Sequence, residues 1–347
     1  FNSIIKKINA LYPNQSPVSL HSPVFNGNEK KYLNECIDST YVSYVGKYVS
    51  DFEKIVSNYV QSKHSVAVVN GTSALQIALK VSGVMPGDEV ITQSLTFVAT
   101  ANAISHCGAI PILMDVDLDT LGMSVEKTQK WLSRNTLYDK NLKSTINRKT
   151  GRRISAIVPM HTFGIPCKID EIVDLANSYE INVIEDSAES LGSFYKNKHT
   201  GTYGLAGILS FNGNKTITCG GGGMIITDDK SFADRAKHLT TTAKVDHNWE
   251  FIHDEIGYNY RLSNVNAAIG LAQMEKIDSI IENKKKTKNI YSDFFNDQNV
   301  NFVEKDNDQN INYWLNSILF DSFQEKEDFL DFSNKNKVLC RPIWRQM

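Results

Sequence analysis

Seven short apolar runs, at 64–70, 88–93, 110–116, 154–160, 182–187, 208–212 and 223–228, follow one another along the chain. Several are unbroken by polar residues, as expected of strands covered on both faces rather than one. Helical patterns at 73–82, 100–106, 125–134 and 168–179 separate many of them. Strand and helix in alternation leave few solutions. The expected fold class is α/β: a mainly parallel seven-stranded sheet between layers of helices, with ligands beyond the carboxyl ends of the strands.

After residue 229 the pattern changes. Apolar positions through 264–283 recur at helical spacing and lead into a lysine-rich turn at 284–288, whose run 284–286 reads as a solvated helix end. Residues 148–153 form a basic, glycine-containing turn, expected at the surface, and beyond 296 short apolar pieces in polar surroundings suit a small α+β domain. At 347 residues the chain can hold both parts. The expected division is a large domain with an N-terminal arm over 1–260, then a linker helix and small domain over 261–347.

With 37 basic and 39 acidic residues the formal charge is −2, so charge gives no reason to expect nucleic acid or an anionic membrane as partner. No run approaches the roughly 18 apolar residues of a membrane span, and residues 1–15 lack the apolar core of a signal peptide, so cytoplasm is the expected location. Five scattered cysteines contain no C-x-x-C pair and frame neither disulfides nor a zinc site; Cys219 reads as a small buried residue.

One stretch, ILSFNGNKTITCGGGGMIITDD at 208–229, sets Lys215 between two strand-like runs and before four consecutive glycines. The order of a Walker-type phosphate loop is absent. Two other strand ends could meet this lysine. Asn70-Gly71-Thr72-Ser73 closes a strand and opens a helix whose first amides are free donors, a place for a phosphate or simply an ordinary cap. Glu185 and Asp186 end another strand and point to opposite faces, so only one can face a site at the sheet edge; a cap for the following segment is the alternative. A buried carboxylate there needs a positive partner. A ligand with a phosphate, a group that condenses with lysine and a basic nitrogen would satisfy all three, and pyridoxal phosphate has them.

These residues carry a resemblance. The segments VVNGTSALQIAL, PGDEVITQSLTFVATANAI, VIEDSAES, GILSFNGNKTITCGGGGMIITDD and GYNYRLSNVNAAIG resemble, in order and spacing, the DegT/StrS family of sugar aminotransferases, of aminotransferase fold type I. Within it, FNGNK, HLTTTAK and WEFIHDEIGYNYRL look like the LegC-type branch, which acts on UDP-linked 4-keto-6-deoxy-N-acetylhexosamines. The resemblance implies that Lys215 forms the Schiff base and moves the proton, that Asp186 faces the pyridine nitrogen, and that Gly71, Thr72, Ser73 and Ser210 bind the cofactor phosphate. It further implies that Phe97 stacks on the cofactor ring and that Asn259 reaches the phosphate of a neighbouring subunit, making a homodimer with shared sites. The implied reaction moves the amino group of L-glutamate to C4 of the UDP-linked keto sugar in two stages, with no metal.

The same chemistry on a GDP- or dTDP-linked 4-keto sugar, or on a 3-keto sugar, is the alternative substrate reading. A non-catalytic regulator on this fold is the alternative of another class, although its expected signs, loss of Lys215 or Asp186 or an added DNA-binding helix-turn-helix, are not seen. Dehydratases of the family carry histidine in place of the lysine, so Lys215 favours amino transfer. Two departures stand out: Glu189 occupies the place of the usual glutamine beside the cofactor's phenolic oxygen, and the sequence stops at CRPIWRQM where family members continue. His161 and Arg261 could contact substrate or be structural.

Overall fold

The computed structural model describes residues 1–298, 300–304 and 310–347. Its centre is one seven-stranded sheet built from all seven expected runs: β1 (His64–Val68), β2 (Glu89–Gln93), β3 (Ile110–Met114), β4 (Ile154–Val158), β5 (Asn182–Asp186), β6 (Ala206–Ser210) and β7 (Gly223–Thr227). Across the sheet the order is β1-β7-β6-β5-β4-β2-β3, and only β7 runs against the others. The expected ends shift by one or two residues. β6 starts at Ala206 because pairing with Ile184 and Glu185 outweighs the low strand propensity of Ala206 and Gly207.

Helices cover both faces, which explains the unbroken apolar runs. The helices are α1 (Asn2–Leu11), α2 (Glu29–Asp38), α3 (Lys47–Val60), α4 (Gly71–Val81), α5 (Val98–His106), α6 (Val125–Asn135), α7 (Ile169–Ser178), α8 (Lys230–Thr240), α9 (Asn264–Met274), α10 (Ile277–Gln298) and α11 (Phe323–Lys335). Alternate residues of one strand serve opposite cores: Ile225 packs with α4 and α8, whereas Met224 and Ile226 pack with α3 and α9. A third cluster lies between α6, α7 and the β2–β4 side of the sheet. No helix among the described residues is long and apolar enough to cross a membrane.

The reading of 264–288 is corrected. The helical pattern breaks at Glu275 into α9 and α10, and 284–288 is neither a turn nor a helix end but the middle of α10. Lys288 is buried and ion-paired with Glu304, and the Lys284 ammonium donates to the Trp314 carbonyl at 3.2 Å. The lysines sit inside because α10 crosses from the main core, through Ile277 and Ile281, to a second core where Phe295 meets Ile4 of α1 and Phe329 of α11. Alongside this second core a two-stranded ribbon pairs Asn301–Phe302 with Ile318–Leu319.

Candidate active site

The ends of β1, β5 and β6 and the start of β7 meet at one edge of the sheet. β6 and β7 form a hairpin, and its twelve-residue connection carries Lys215. The loop is tied at its base by hydrogen bonds from the Phe211 amide to the Gly222 carbonyl and from the Cys219 amide to the Phe211 carbonyl. Phe211 is fully buried and lies edge-on to Phe52, ring centroids 4.9 Å apart. Removing such a side chain costs about 3–5 kcal/mol, so the loop is anchored rather than free. The glycines serve close packing: a Cβ on Gly223 would come 2.5 Å from the Asn70 carbonyl carbon, so only glycine lets β7 begin against the turn before α4. Cys219 is buried as expected, its thiol pushed up to about 12 by burial.

At that turn Asn70 caps α4, its Oδ1 accepting from the Ser73 amide at 2.8 Å. The Gly71 and Thr72 amides belong to the unpaired first turn of the helix. Ser210 closes the other side: a Cβ at Gly71 would lie 3.1 Å from the Ser210 Cβ and 3.3 Å from its Oγ. The cradle thus has backbone donors, the three hydroxyl side chains of Thr72, Ser73 and Ser210, and no Cβ on Gly71 to block it, which fits a phosphate group.

Asp186, at the end of β5, is 5% exposed. Its Oδ2 accepts from Thr100 Oγ1 at 2.7 Å and its Oδ1 from the Ala188 amide at 3.2 Å. None of the ion pairs of the described residues involves it, so a basic nitrogen on a ligand would supply the missing positive charge. Thr100 lies in the first turn of α5, and Phe97, the residue before that helix, holds its ring 47% exposed above the same edge. The phosphate cradle and the unpaired carboxylate together fit pyridoxal phosphate.

Glu185 points to the other face, as its neighbour's position requires. It accepts from the Gly201, Tyr203 and Gly204 amides, each at 2.7 Å, and its Oε2 lies 3.0 Å from His161 Nε2. His161 and Glu185 are both fully buried, and the Cys167 amide donates to His161 Nδ1, so the ring is structural. Arg261 is structural too, bonding the Ala67 carbonyl at 2.9 Å and Glu53 Oε1 at 2.7 Å.

Glu189 reaches Lys215. Its Oε1 is 3.3 Å from the Lys215 Nζ and its Oε2 accepts from the Phe163 amide at 2.9 Å. Phe163 holds φ at +56°, a left-handed conformation uncommon outside glycine, in a tight turn between β4 and α7. Burial pushes the Glu189 carboxyl up to about 7 even though Lys215 and the Phe163 amide pull the other way; the nearby Asp186 charge adds to the rise.

Sequence reasoning missed the contributions from beyond residue 300. Trp314 lies with its ring centroid 4.2 Å from Lys215 Nζ, and its indole donates to the Asn214 carbonyl at 2.6 Å. Asn312 bonds the carbonyls of Glu189 and Leu191, fixing the segment that presents Glu189. Trp344 touches both Phe97 and Phe163. Each is far away in sequence, and only folding brings it to the edge; the lone aromatic signal of NYWLNS was the available hint. Asn259 is not drawn into this cluster. It is exposed and pairs through its backbone with Thr241.

Comparison with known proteins agrees with this geometry. The chain is 39% identical over 327 residues, 94% of its length and 84% of the relative's, to the GDP-perosamine synthase of Escherichia coli O157:H7. It is 35% identical over 329 residues, again 94% and 84%, to the protein of the same name from Vibrio cholerae. Its fold matches that of Helicobacter pylori PseC, an aminotransferase involved in the biosynthesis of pseudoaminic acid, with a TM-score of 0.85 at 23% identity over 96% of this chain and 85% of that one. A family profile covers residues 24–347, and with the lysine loop, the phosphate cradle and the buried carboxylate at one sheet edge, the chain is a pyridoxal-phosphate-dependent sugar aminotransferase and belongs to the DegT/DnrJ/EryC1/StrS aminotransferase family.

Proposed function

We propose that this chain transfers the amino group of L-glutamate to C4 of a GDP-linked 4-keto-6-deoxyhexose, in two half-reactions on one site. The chemistry rests on one observation above all: the Lys215 amine, the Glu189 carboxyl and the Asp186 carboxylate lie together at the sheet edge beside an open phosphate cradle. When bound, the cofactor supplies a carbonyl for amines and a ring that takes up the electron pair left when a C–H bond breaks.

In this proposal Lys215 would hold the cofactor through its amine and would serve as the base and acid that takes up and returns the substrate's proton. Asp186, steadied by Thr100, keeps the ring nitrogen protonated. Gly71, Thr72, Ser73 and Ser210 take the phosphate and Phe97 covers the ring. Glu189, buried beside Lys215, would as a neutral acid offer the cofactor the hydrogen bond that an amide would give. Asn259 serves the site of a second copy, and the exposed Trp249, Phe251 and Ile256 near it in sequence, 86%, 79% and 85% accessible, are the surface that copy would cover.

Identity to the GDP-perosamine synthase of E. coli supports the GDP-linked sugar. The FNGNK, HLTTTAK and WEFIHDEIGYNYRL segments support the UDP-linked N-acetyl sugar as the second reading. Incubation with glutamate and each 4-keto sugar nucleotide, followed by mass analysis of the product, separates them. Amination of the UDP sugar alone overturns the GDP assignment, and amination of neither overturns both.

A further inference from the structure

Two hydroxyls stand in line behind the Asp186 carboxylate. Thr96, in the turn between β2 and α5, and Thr100, in the first turn of α5, are both fully buried. Their Oγ1 atoms lie 2.7 Å apart, and Thr100 Oγ1 lies 2.7 Å from Asp186 Oδ2. An ionised carboxylate only accepts, so the Thr100 proton is committed to Asp186, and the contact behind it takes its proton from Thr96. The chain therefore runs one way, from Thr96 through Thr100 to Asp186. Each bond polarises the next, and the last ends on a charge, where a hydrogen bond is strongest.

The line is held from behind. Gln93, fully buried at the end of β2, donates to the Leu95 carbonyl at 2.8 Å and accepts from the Met160 amide at 3.0 Å. Leu95 leads into Thr96, while Met160 bridges Asp186 in the sheet and sets its sulfur 3.1 Å from Thr96 Oγ1. One side chain thus ties the turn that carries Thr96 to the strand end that carries Asp186. On the carboxylate itself, Thr100 takes Oδ2 and the Ala188 amide takes Oδ1, one donor on each oxygen, which sets its plane. The Thr100 amide also donates to the Phe97 carbonyl at 3.1 Å, so the same turn places the exposed Phe97 ring.

We propose that Thr96 and Thr100 are positioning residues for amino transfer: a one-way hydroxyl relay that fixes the Asp186 carboxylate toward the cofactor's ring nitrogen. The role at the ring nitrogen rests on the transaminase reading, whereas the relay rests on the contacts of the two threonines. Neither threonine touches a reacting atom, and both act through Asp186.

The test uses protein loaded with pyridoxal phosphate carrying heavy nitrogen in its ring, whose resonance reports protonation of that atom without any substrate. The rate at which saturating glutamate bleaches the absorbance of lysine-bound cofactor reports the first half-reaction. Thr100→Val keeps the shape and removes the hydroxyl, and it strands no donor, because Thr96 can turn to the Met160 sulfur. It should move the resonance toward that of the neutral ring and slow bleaching about tenfold or more, the loss expected for a hydrogen bond to a charged group. Thr100→Ser should restore both, and Thr96→Val should move both in the same direction by less. On an Asp186→Asn background, Thr100→Val should change the rate by under about twofold, because its effect passes through the missing carboxylate. A resonance that Asp186→Asn moves but neither valine variant does overturns the relay and leaves the transaminase reading standing. A full Thr100→Val loss added to that of Asp186→Asn overturns the relay too, since the threonine then acts on packing alone. A wild-type resonance in Asp186→Asn takes the carboxylate away from the ring nitrogen and overturns both. Should Thr100→Val fail to fold, Thr96→Val supplies the same comparisons.

Discussion

Replacing Glu189 with glutamine tests the least ordinary feature of the site. The carboxyl is 2% exposed, and its pKa stands at about 7 against an ordinary 4.5, raised chiefly by burial. At 1.36 kcal/mol per decade, holding this group ionised in the folded chain costs about 3 kcal/mol relative to the unfolded chain. The sign follows from the direction. Because the folded pKa is raised, the stability is fully present below pH 4.5, where both states are protonated. It falls as the unfolded chain ionises between 4.5 and about 7, and it is flat above that.

Glutamine has no proton to lose and keeps the shape, so its oxygen can still accept from the Phe163 amide. The stability gap between Glu189→Gln and wild type should therefore open by about 3 kcal/mol from acid to neutral pH. For a chain of this length, at roughly 2.1 cal/mol/K of unfolding entropy per residue, that is about 4 °C in Tm. Thermal melts of both cofactor-free proteins across this range read it directly. A gap that stays constant with pH would mean that Lys215, 3.3 Å away, already offsets the burial of an ionised carboxylate, and the argument from desolvation fails. With cofactor and substrates, the variant should keep much of its activity and lose an inflection near pH 7 from its rate profile.

Three further outcomes follow from the site. Lys215→Ala should lose the absorbance of lysine-bound cofactor and multiple turnover while melting as a folded protein; near-wild-type turnover would remove Lys215 from the chemistry. Asp186→Asn deletes a charge-assisted contact of roughly 1.5–3 kcal/mol in ground states, more where charge develops, so turnover should drop at least ~100-fold; a drop under about tenfold with cofactor bound would make Asp186 a cap. Mixing Lys215→Ala with Asn259→Ala chains should restore activity through heterodimers holding one intact site, and activity no greater than the sum of the two parents would show that Asn259 does not act across subunits.

The sheet was legible because its signal is local. Each strand is a short apolar run, and β5 shows why: Val183 and Ile184 serve opposite cores, so no polar residue interrupts them. Asp186 was legible as a polar residue at a strand end, where burial makes a charge expensive without a partner, and Lys215 as a lone lysine between two strand-like runs. Lys284 was not. A lysine-rich run in a helical pattern looks like a solvated end, and nothing local records that α10 spans two cores and carries Lys284 and Lys288 inward. The inward turns of His161 and Glu185 were hidden for the same reason, since each satisfies the other across two strands.

The single reversed strand explains why the lysine and the phosphate cradle coincide. A parallel crossover needs a dozen or more residues and returns to the opposite edge of the sheet, so a loop between two parallel strands would leave Lys215 tied to only one strand end. A hairpin returns at the same edge. Because β7 is inserted between β6 and β1, its first residue, Gly223, sits opposite both Ser210 of β6 and Val68 of β1. The loop that presents Lys215 is thus closed directly over the turn that opens α4, and Ser210, on the strand leading into it, forms the far wall of that turn. One antiparallel register therefore sets the separation of amine and phosphate sites. A bulky residue at Gly223 should disturb both at once, weakening phosphate binding and cofactor attachment together, whereas Lys215→Ala removes only the second.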